Sequence, residues 1–218
     1  MNATFRRGWI SLALALVAVA PLLHADPLAD RKAEIEMAFD QYVAAKTEDQ
    51  RTAVIDFLQH FDRPLVASAL IDHIIASRTG EEATAYNKLV EGLNPDGCQA
   101  LLDRLSIETD AIPKGKLIVA LRHCQSPGAI SALAASLDDT RPVPFAAHTS
   151  HPRRVCDLAY DELFLKLRNE PRYGLDTSSQ MKGIILEKTP ATERDALIAK
   201  LKQSLAPTVS GSPNSSGT

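Results

Sequence analysis

Two histidines and a cysteine–aspartate pair stand close together in the segment HTSHPRRVCD. His148 and His151 have the spacing HxxH, and Cys156 follows them. Imidazole and thiolate are zinc ligands, so this combination could hold a metal ion or form a reactive centre. Inside the connection 139–152, however, no second cysteine or carboxylate falls at ligand spacing, and HxxH in a loop is a weak signal. A hydrolase or metal-binding protein that uses His148 and His151 is therefore the alternative interpretation.

Cys156 separates from its acidic neighbour when the segment 153–168 is drawn as a helix. At about 100° per residue, Cys156 lies in the middle of the apolar arc, whereas Asp157 and Asp161 point to the opposite side. A thiol in a core has a raised pKa and low reactivity. We therefore expect Cys156 to be a core residue and the two aspartates to face solvent.

Common catalytic and nucleotide-binding motifs are missing from the sequence: it contains no GxSxG, P-loop, GxGxxG or HExxH. The acidic pairs are typical of solvated helix ends and faces, and these are Glu81–Glu82, Asp138–Asp139 and Asp161–Glu162. We therefore expect neither enzymatic activity nor a cofactor.

The connection 139–152 is the most informative surface feature of the sequence. Connections between paired helices usually have two to eight residues, so this one is long. It contains prolines, a phenylalanine with no periodic place in a helix, and cationic side chains. It could pack onto its own helices, or it could be a binding loop. The candidate binding residues are Arg141, Phe145, His148, His151 and Arg153.

The elements that must position these residues are helices throughout. Alanine and leucine recur at spacings of three and four, aromatic residues make up only 5% of the chain, and no segment alternates as a strand would. Proline and glycine mark the ends of the candidate helices. These helices are 29–45, 49–60, 63–77, 81–92, 96–105, 114–124, 128–137, 153–168 and 192–205.

A weak internal repeat accompanies the helices, because ALLDRL at 100 is echoed by ALAASL at 132. The segments PGAISALAASLDD and RRVCDLAYDELFLKL together resemble a HEAT repeat of the short bacterial (PBS-lyase) type. In that family the first helix ends in leucine and aspartate, here Leu137 and Asp138. The second helix carries valine, alanine and leucine four residues apart, here Val155, Ala159 and Leu163.

Two features depart from the family pattern: Cys156 replaces its usual arginine, and the connection 139–152 is longer than usual. The resemblance implies an all-α fold, an α-solenoid of antiparallel helical hairpins. Proteins of this family mostly act as scaffolds or binding surfaces, which implies a protein or peptide partner. A purely structural role without a discrete ligand is a further alternative.

The three cysteines allow one disulfide and one free thiol. Cys98 shares a helical stripe with leucines early in one candidate helix, and Cys124 shares one late in the next. In an antiparallel hairpin these two ends are neighbours. We therefore predict a disulfide between Cys98 and Cys124, with two buried unpaired thiols as the alternative, and a free Cys156.

The beginning of the chain has the features of a secretory signal, which we assign to residues 1–25. A pair of arginines precedes the apolar run Trp9–Ala20, which is too short to cross a bilayer comfortably. We therefore expect export to the periplasm or the extracellular space. Residues 26–205 form the predicted helical domain, and 206–218, rich in Ser, Gly and Pro, a flexible tail.

The charge of the chain argues against some partners. The formal net charge is −3 over 218 residues, and no basic patch tracks a phosphate backbone. We therefore expect no nucleic-acid partner. Because no other apolar run is long enough to span a bilayer, we also expect no integral membrane segment after the signal is removed.

Overall fold

The computed structural model describes residues 27–144, 152–173, 175, 185 and 188–206. The predicted signal 1–25, residues 207–218 of the predicted tail, and the candidate binding residues Phe145, His148 and His151 lie outside the described residues. Within the described part of the chain, the helices are too short or too polar to span a bilayer.

The described residues form an almost wholly helical fold, which confirms the predicted all-α class. The helices are α1 Pro27–Ala44, α2 Glu48–Leu58, α3 Arg63–Ala76, α4 Gly80–Gly92, α5 Asp96–Ile107, α6 Ala111–Ala120, α7 Pro127–Ala135, α8 Val155–Leu167 and α9 Ala191–Leu205. Short 3-10 segments follow α6 (Leu121–His123), α7 (Ser136–Asp138) and α8 (Pro171–Tyr173). Two short strands, β1 Pro142–Val143 and β2 Arg153–Arg154, lie between α7 and α8.

Local sequence determines where several helices begin. Thr47 caps α2: its hydroxyl accepts from the backbone N–H of Gln50, and the Gln50 side chain accepts from the backbone of Thr47. Thr79 and Glu82 form the same reciprocal capping box at the start of α4. Each box satisfies N–H groups that the first helical turn leaves without an intrahelical acceptor.

The first eight helices pack as four successive pairs, α1 with α2, α3 with α4, α5 with α6, and α7 with α8. The first helices of the pairs form one row, in which α3 contacts both α1 and α5, and α5 contacts α7. In the second row α6 lies between α4 and α8. A single apolar core runs between the rows, and α9 packs on the outer end against α8.

The predicted pairing of Cys98 with Cys124 is confirmed by the geometry. The two sulfur atoms lie 2.22 Å apart and the Cα atoms 5.5 Å apart. Cys98 is in the first turn of α5, and Cys124 follows the 3-10 segment after α6. Lys166 of α8 donates to the carbonyl oxygens of Cys124 at 2.6 Å and Arg122 at 3.0 Å, so this end of the α5–α6 pair is also attached to α8.

The connection between α7 and α8 corrects the expectation that the chain has no strands. Val143 pairs with Arg153, and Pro142 with Arg154, in a two-residue antiparallel ladder. A ladder this short leaves no alternating pattern in the sequence. Its effect is to hold the two ends of the connection side by side.

The predicted solvent exposure of the acidic residues on α8 is wrong. Asp157 is 0% exposed, Asp161 5% and Glu162 2%. The helical wheel assigns Asp157 and Asp161 to the side opposite the apolar arc, and Asp161–Glu162 has the form of a solvated acidic pair, since an unpaired carboxylate is costly to bury. On α8 the cost is offset, because arginines from other parts of the fold meet each of these carboxylates.

Candidate binding groove

A groove with a volume of about 540 Å³ opens along the row formed by α4, α6 and α8. Each helix contributes three residues, and on α4 and α6 they are three or four positions apart, the spacing at which residues share one helical face. They are Gly80, Ala83 and Asn87 on α4, Ile112, Lys116 and Val119 on α6, and Leu158, Asp161 and Glu162 on α8. The lining is completed by the end of α3, the turn before α4, Arg122, Pro144 and Arg153. We call this cavity, with all of these lining residues, the groove.

The two carboxylates of the groove are each bound by an arginine. Glu162 receives a two-pronged hydrogen bond from Arg122, with Nη2–Oε1 at 2.6 Å and Nε–Oε2 at 2.9 Å. Asp161 accepts from Arg153 and from the backbone N–H of Ile185, the latter at 2.8 Å. Burial raises the pKa of Asp161 to about 6, against the attraction of Arg153. The floor of the groove is therefore charged, and its carboxylates are held in place.

Lys116 and the hydroxyl groups of the groove have structural partners. The Lys116 ammonium donates to the carbonyl oxygens of Ile75 and Ser77, both at 2.6 Å, and so satisfies the end of α3. Burial lowers the pKa of Lys116. The Ser77 hydroxyl donates to the carbonyl of Ile74 at 2.8 Å, and that of Thr79 accepts from the backbone of Glu82. These hydroxyls are engaged in helix capping.

Two buried polar atoms of the groove have no hydrogen-bond partner among the described residues: Oδ1 of Asn87 and Nε of Arg153. Asn87 is 8% exposed. Buried polar atoms are almost always satisfied in folded proteins, because each unsatisfied one costs about 1–3 kcal/mol. One is an acceptor and the other a donor, and both side chains line the same groove. A bound ligand that carries both kinds of group would satisfy them.

The structure brings one of the five predicted binding residues, Arg153, into the groove. Arg141 lies elsewhere: its Nε donates to Asp139 at 2.8 Å, and its Nη1 donates to the carbonyl of Thr109. Phe145, His148 and His151 lie outside the described residues. Pro144, the last described residue before them, lines the groove.

Sequence reasoning missed the residues that α4 and α6 contribute to the groove. Asn87 and Lys116 belong to different helical pairs, and nothing in the linear sequence relates one to the other. The available signal was the polar side chain of Asn87 between Tyr86 and Leu89, both of which are buried. This pattern predicts that Asn87 is buried, but it does not predict which residues of the other helices lie next to it.

Cys156 lies outside the groove and is buried, as predicted. Burial raises the pKa of its thiol to about 11, so the thiolate is scarce at neutral pH. The thiol lies 3.8 Å from Oδ1 of Asp157, which is itself bound by arginines. Among the residues that the structure describes, no group of three or more His, Cys, Asp or Glu side chains is arranged to hold a metal ion.

Comparison with protein-family models, with curated proteins and with solved structures finds no match to this chain. Among the described residues, the groove combines volume, charge and unsatisfied buried atoms, the features of a binding site.

Proposed function

We propose that this chain is an exported, non-catalytic binding protein of the HEAT-like type, which holds a protein or peptide partner in the groove. The observation that carries the proposal is the buried Oδ1 of Asn87, which has no hydrogen-bond partner among the described residues, at a surface built by α4, α6 and α8. A folded protein tolerates an unsatisfied buried group where function requires it.

The packing of the helices supports the solenoid part of the proposal. Four successive helical pairs, with the first helices in contact in chain order and α6 in contact with both α4 and α8, are what stacked helical repeats produce. The HEAT resemblance falls on α7 and α8, which form one such pair. In a stack of this kind the second helices share one extended surface, which is where the groove lies.

The chemistry of the groove supports a binding role over a catalytic one. A general base or nucleophile needs a side chain that is free to act on a substrate. Asp161 and Glu162 are occupied by arginines, and the Ser77 and Thr79 hydroxyls take part in helix capping. Cys156 lies outside the groove.

Export is supported by the cysteine geometry together with the first residues of the sequence. A structural disulfide such as Cys98–Cys124 persists in oxidising compartments and is rare in the cytosol. The arginine pair and apolar run within residues 1–25 have the order of a secretory signal. Both observations favour the periplasm or the extracellular space.

A protein or peptide partner fits the mixed surface of the groove. Ile112 is 41% exposed at its edge, and Val119 and Leu158 add further apolar surface. Arginines surround these apolar groups, and arginine is enriched in protein interfaces. Polypeptides offer apolar side chains and hydrogen-bonding backbone in one ligand.

Site-specific photo-crosslinking tests the proposal. A photoreactive residue replaces Ile112 at the groove, or Ile107, which is 72% exposed and outside the groove, as a matched control. The full chain is expressed in its native host, irradiated and analysed by mass. We expect a discrete crosslinked polypeptide from the Ile112 position alone. Equal crosslinking at both positions, or none at Ile112, would refute the groove as a binding surface.

A further inference from the structure

The side-chain amide of Asn87 is complementary to a peptide group. An amide side chain has both an acceptor and a donor, and a peptide group offers a donor and an acceptor at similar spacing. Oδ1 of Asn87 has no partner among the described residues, so a backbone N–H of a ligand would satisfy it. Small apolar side chains such as Ala83 stand one turn away on the same helix, which leaves room for a main chain to approach.

Arg153 has an unsatisfied hydrogen-bond donor, whereas Asn87 has an unsatisfied acceptor. Its Nη2 donates to Asp161 and to the carbonyl of Asp157, while its buried Nε–H has no acceptor among the described residues. An acceptor on the ligand would complete the guanidinium. A carboxylate is the stronger choice, because hydrogen bonds between ionised groups are about twice as strong as neutral ones.

The charge of the groove also favours an anionic ligand. Its lining contains four cationic side chains, those of Arg78, Lys116, Arg122 and Arg153, against the carboxylates of Asp161 and Glu162. Arg122 and Arg153 are neutralised by these carboxylates. Glu82, at the start of α4, accepts from the backbone N–H groups of Arg78 and Thr79 and offsets part of the remaining charge. After these pairings the groove keeps a net positive charge, from Arg78 and Lys116.

We propose that the ligand is the carboxyl-terminal end of a peptide, with the Asn87 amide on its backbone and the Arg153 Nε–H on its terminal carboxylate. This inference rests on the proposed function, since it names the ligand of the same groove. A volume of about 540 Å³ lies in the range of small-ligand sites and suits a few residues of an extended chain. Capture of a chain terminus by convergent donors is an established mode of peptide recognition.

Fluorescence polarisation with two peptide pools provides the test. Randomised tetrapeptides carry a fluorophore at the amino terminus and either a free carboxylate or a carboxyl-terminal amide. We expect the free-acid pool to bind the full chain at least tenfold more tightly, the factor that corresponds to losing one hydrogen bond to a charged group. Equal binding of both pools would refute the terminal carboxylate, and binding of neither would refute the peptide ligand.

Asn87→Leu separates a ligand contact from a structural role. We expect this variant to weaken binding of the free-acid pool at least tenfold while its denaturation midpoint stays the same or rises, because an unsatisfied polar atom is removed. Thr84→Val is the matched control, at an exposed position on α4 outside the groove, and should bind as wild type. Unchanged binding by Asn87→Leu would overturn the inference.

Arg78→Gln gives a second test that does not depend on packing, because Arg78 is exposed. We expect a loss of affinity of a few-fold for the free-acid pool and none for the amide pool. Loss of the same size for both pools would contradict a carboxylate near Arg78. Crosslinking at Ile112 remains a separate result: a crosslinked partner together with failed peptide binding would leave the proposed function standing and remove only the ligand class.

Discussion

The guanidinium of Arg194 on α9 lies 2.9 Å from the carboxylate of Asp157 on α8, with both side chains buried. Asp157 also accepts from the side chain of Arg154, at 2.8 Å, and from its backbone N–H, at 2.9 Å. Burial works to raise the pKa of Asp157, but the bonds from Arg154 and Arg194 outweigh it and hold the pKa below its usual value. This carboxylate therefore connects the last helix to the rest of the fold.

Asp157→Ala should destabilise the protein by about 3–5 kcal/mol, measured as the free energy of unfolding in urea. The variant removes the carboxylate that the buried Arg194 and Arg154 share, and breaking a buried ion pair by deleting one member is costly. Asp195→Ala is the control, because Asp195 is exposed and pairs with Arg154 at 2.8 Å from the outside. It should cost less than about 1 kcal/mol. If both variants lose a similar amount of unfolding free energy, the burial of the Asp157 carboxylate does not determine its contribution to stability.

The stability of the protein should depend on pH through Asp161. Its pKa is raised from 3.8 to about 6 in the folded state, so the folded protein holds this proton more tightly than the unfolded chain does. The contribution of Asp161 to stability is then fully present below about pH 4 and is lost as the pH rises through 6, on the order of 3 kcal/mol in total.

Asp161→Asn isolates this contribution when urea unfolding is measured from pH 4 to 7 for both proteins. The carboxyls of Asp157 and Asp139 have lowered pKa values and act in the opposite direction, but they are present in both proteins and cancel in the comparison. We expect the difference in unfolding free energy to change steadily between pH 4 and 6. A difference independent of pH would mean that the Asp161 carboxyl is not perturbed.

Reduction should destabilise the wild-type protein by about 3 kcal/mol, because the Cys98–Cys124 bond closes a loop with a sequence separation of 26. The measurement is the thermal midpoint with and without a reducing agent. Cys98→Ala/Cys124→Ala is the control, and reductant should leave its midpoint unchanged. A wild-type midpoint that does not respond to reductant would show that the two thiols are unpaired.

Cys156 should not react with thiol reagents while the protein is folded. Its thiol is buried with a pKa raised by that burial to about 11, and both access and thiolate are needed for reaction. Without reductant, we expect one thiol per chain to react in urea and almost none in buffer. Rapid labelling of the folded protein would contradict the buried position.

The apolar pattern of the sequence was sufficient to predict the helices and the cysteine pairing, because both depend on which face of a helix is apolar. Predicted and observed helix boundaries differ where the sequence suggests that proline precedes a helix, although the proline lies inside its first turn. The helix α6 was predicted to start at Lys114, after Pro113, but it starts at Ala111, where the Asp110 side chain accepts from the backbone of Ile112. Proline is tolerated in the first helical turn, where its missing N–H is not needed.

The charged interior of α8 could not be predicted from the sequence. A wheel treats each helix as if its neighbours were solvent on one side and apolar on the other. The partners of Asp157 and Glu162 are Arg194 and Arg122, which are 37 and 40 positions away, and only the tertiary fold brings them together. The groove has the same origin, since Asn87 lies on α4 and Arg153 on β2, far apart in the sequence.

The antiparallel pairing of Val143 with Arg153 has a consequence for how this surface could diversify. Because the two strands close the connection at its base, residues can be added or removed between them without moving α7 or α8. Loop-closure entropy grows only with the logarithm of length, so each doubling costs about 0.6 kcal/mol. Insertions and graft libraries placed after Pro144 would begin at a residue that lines the groove.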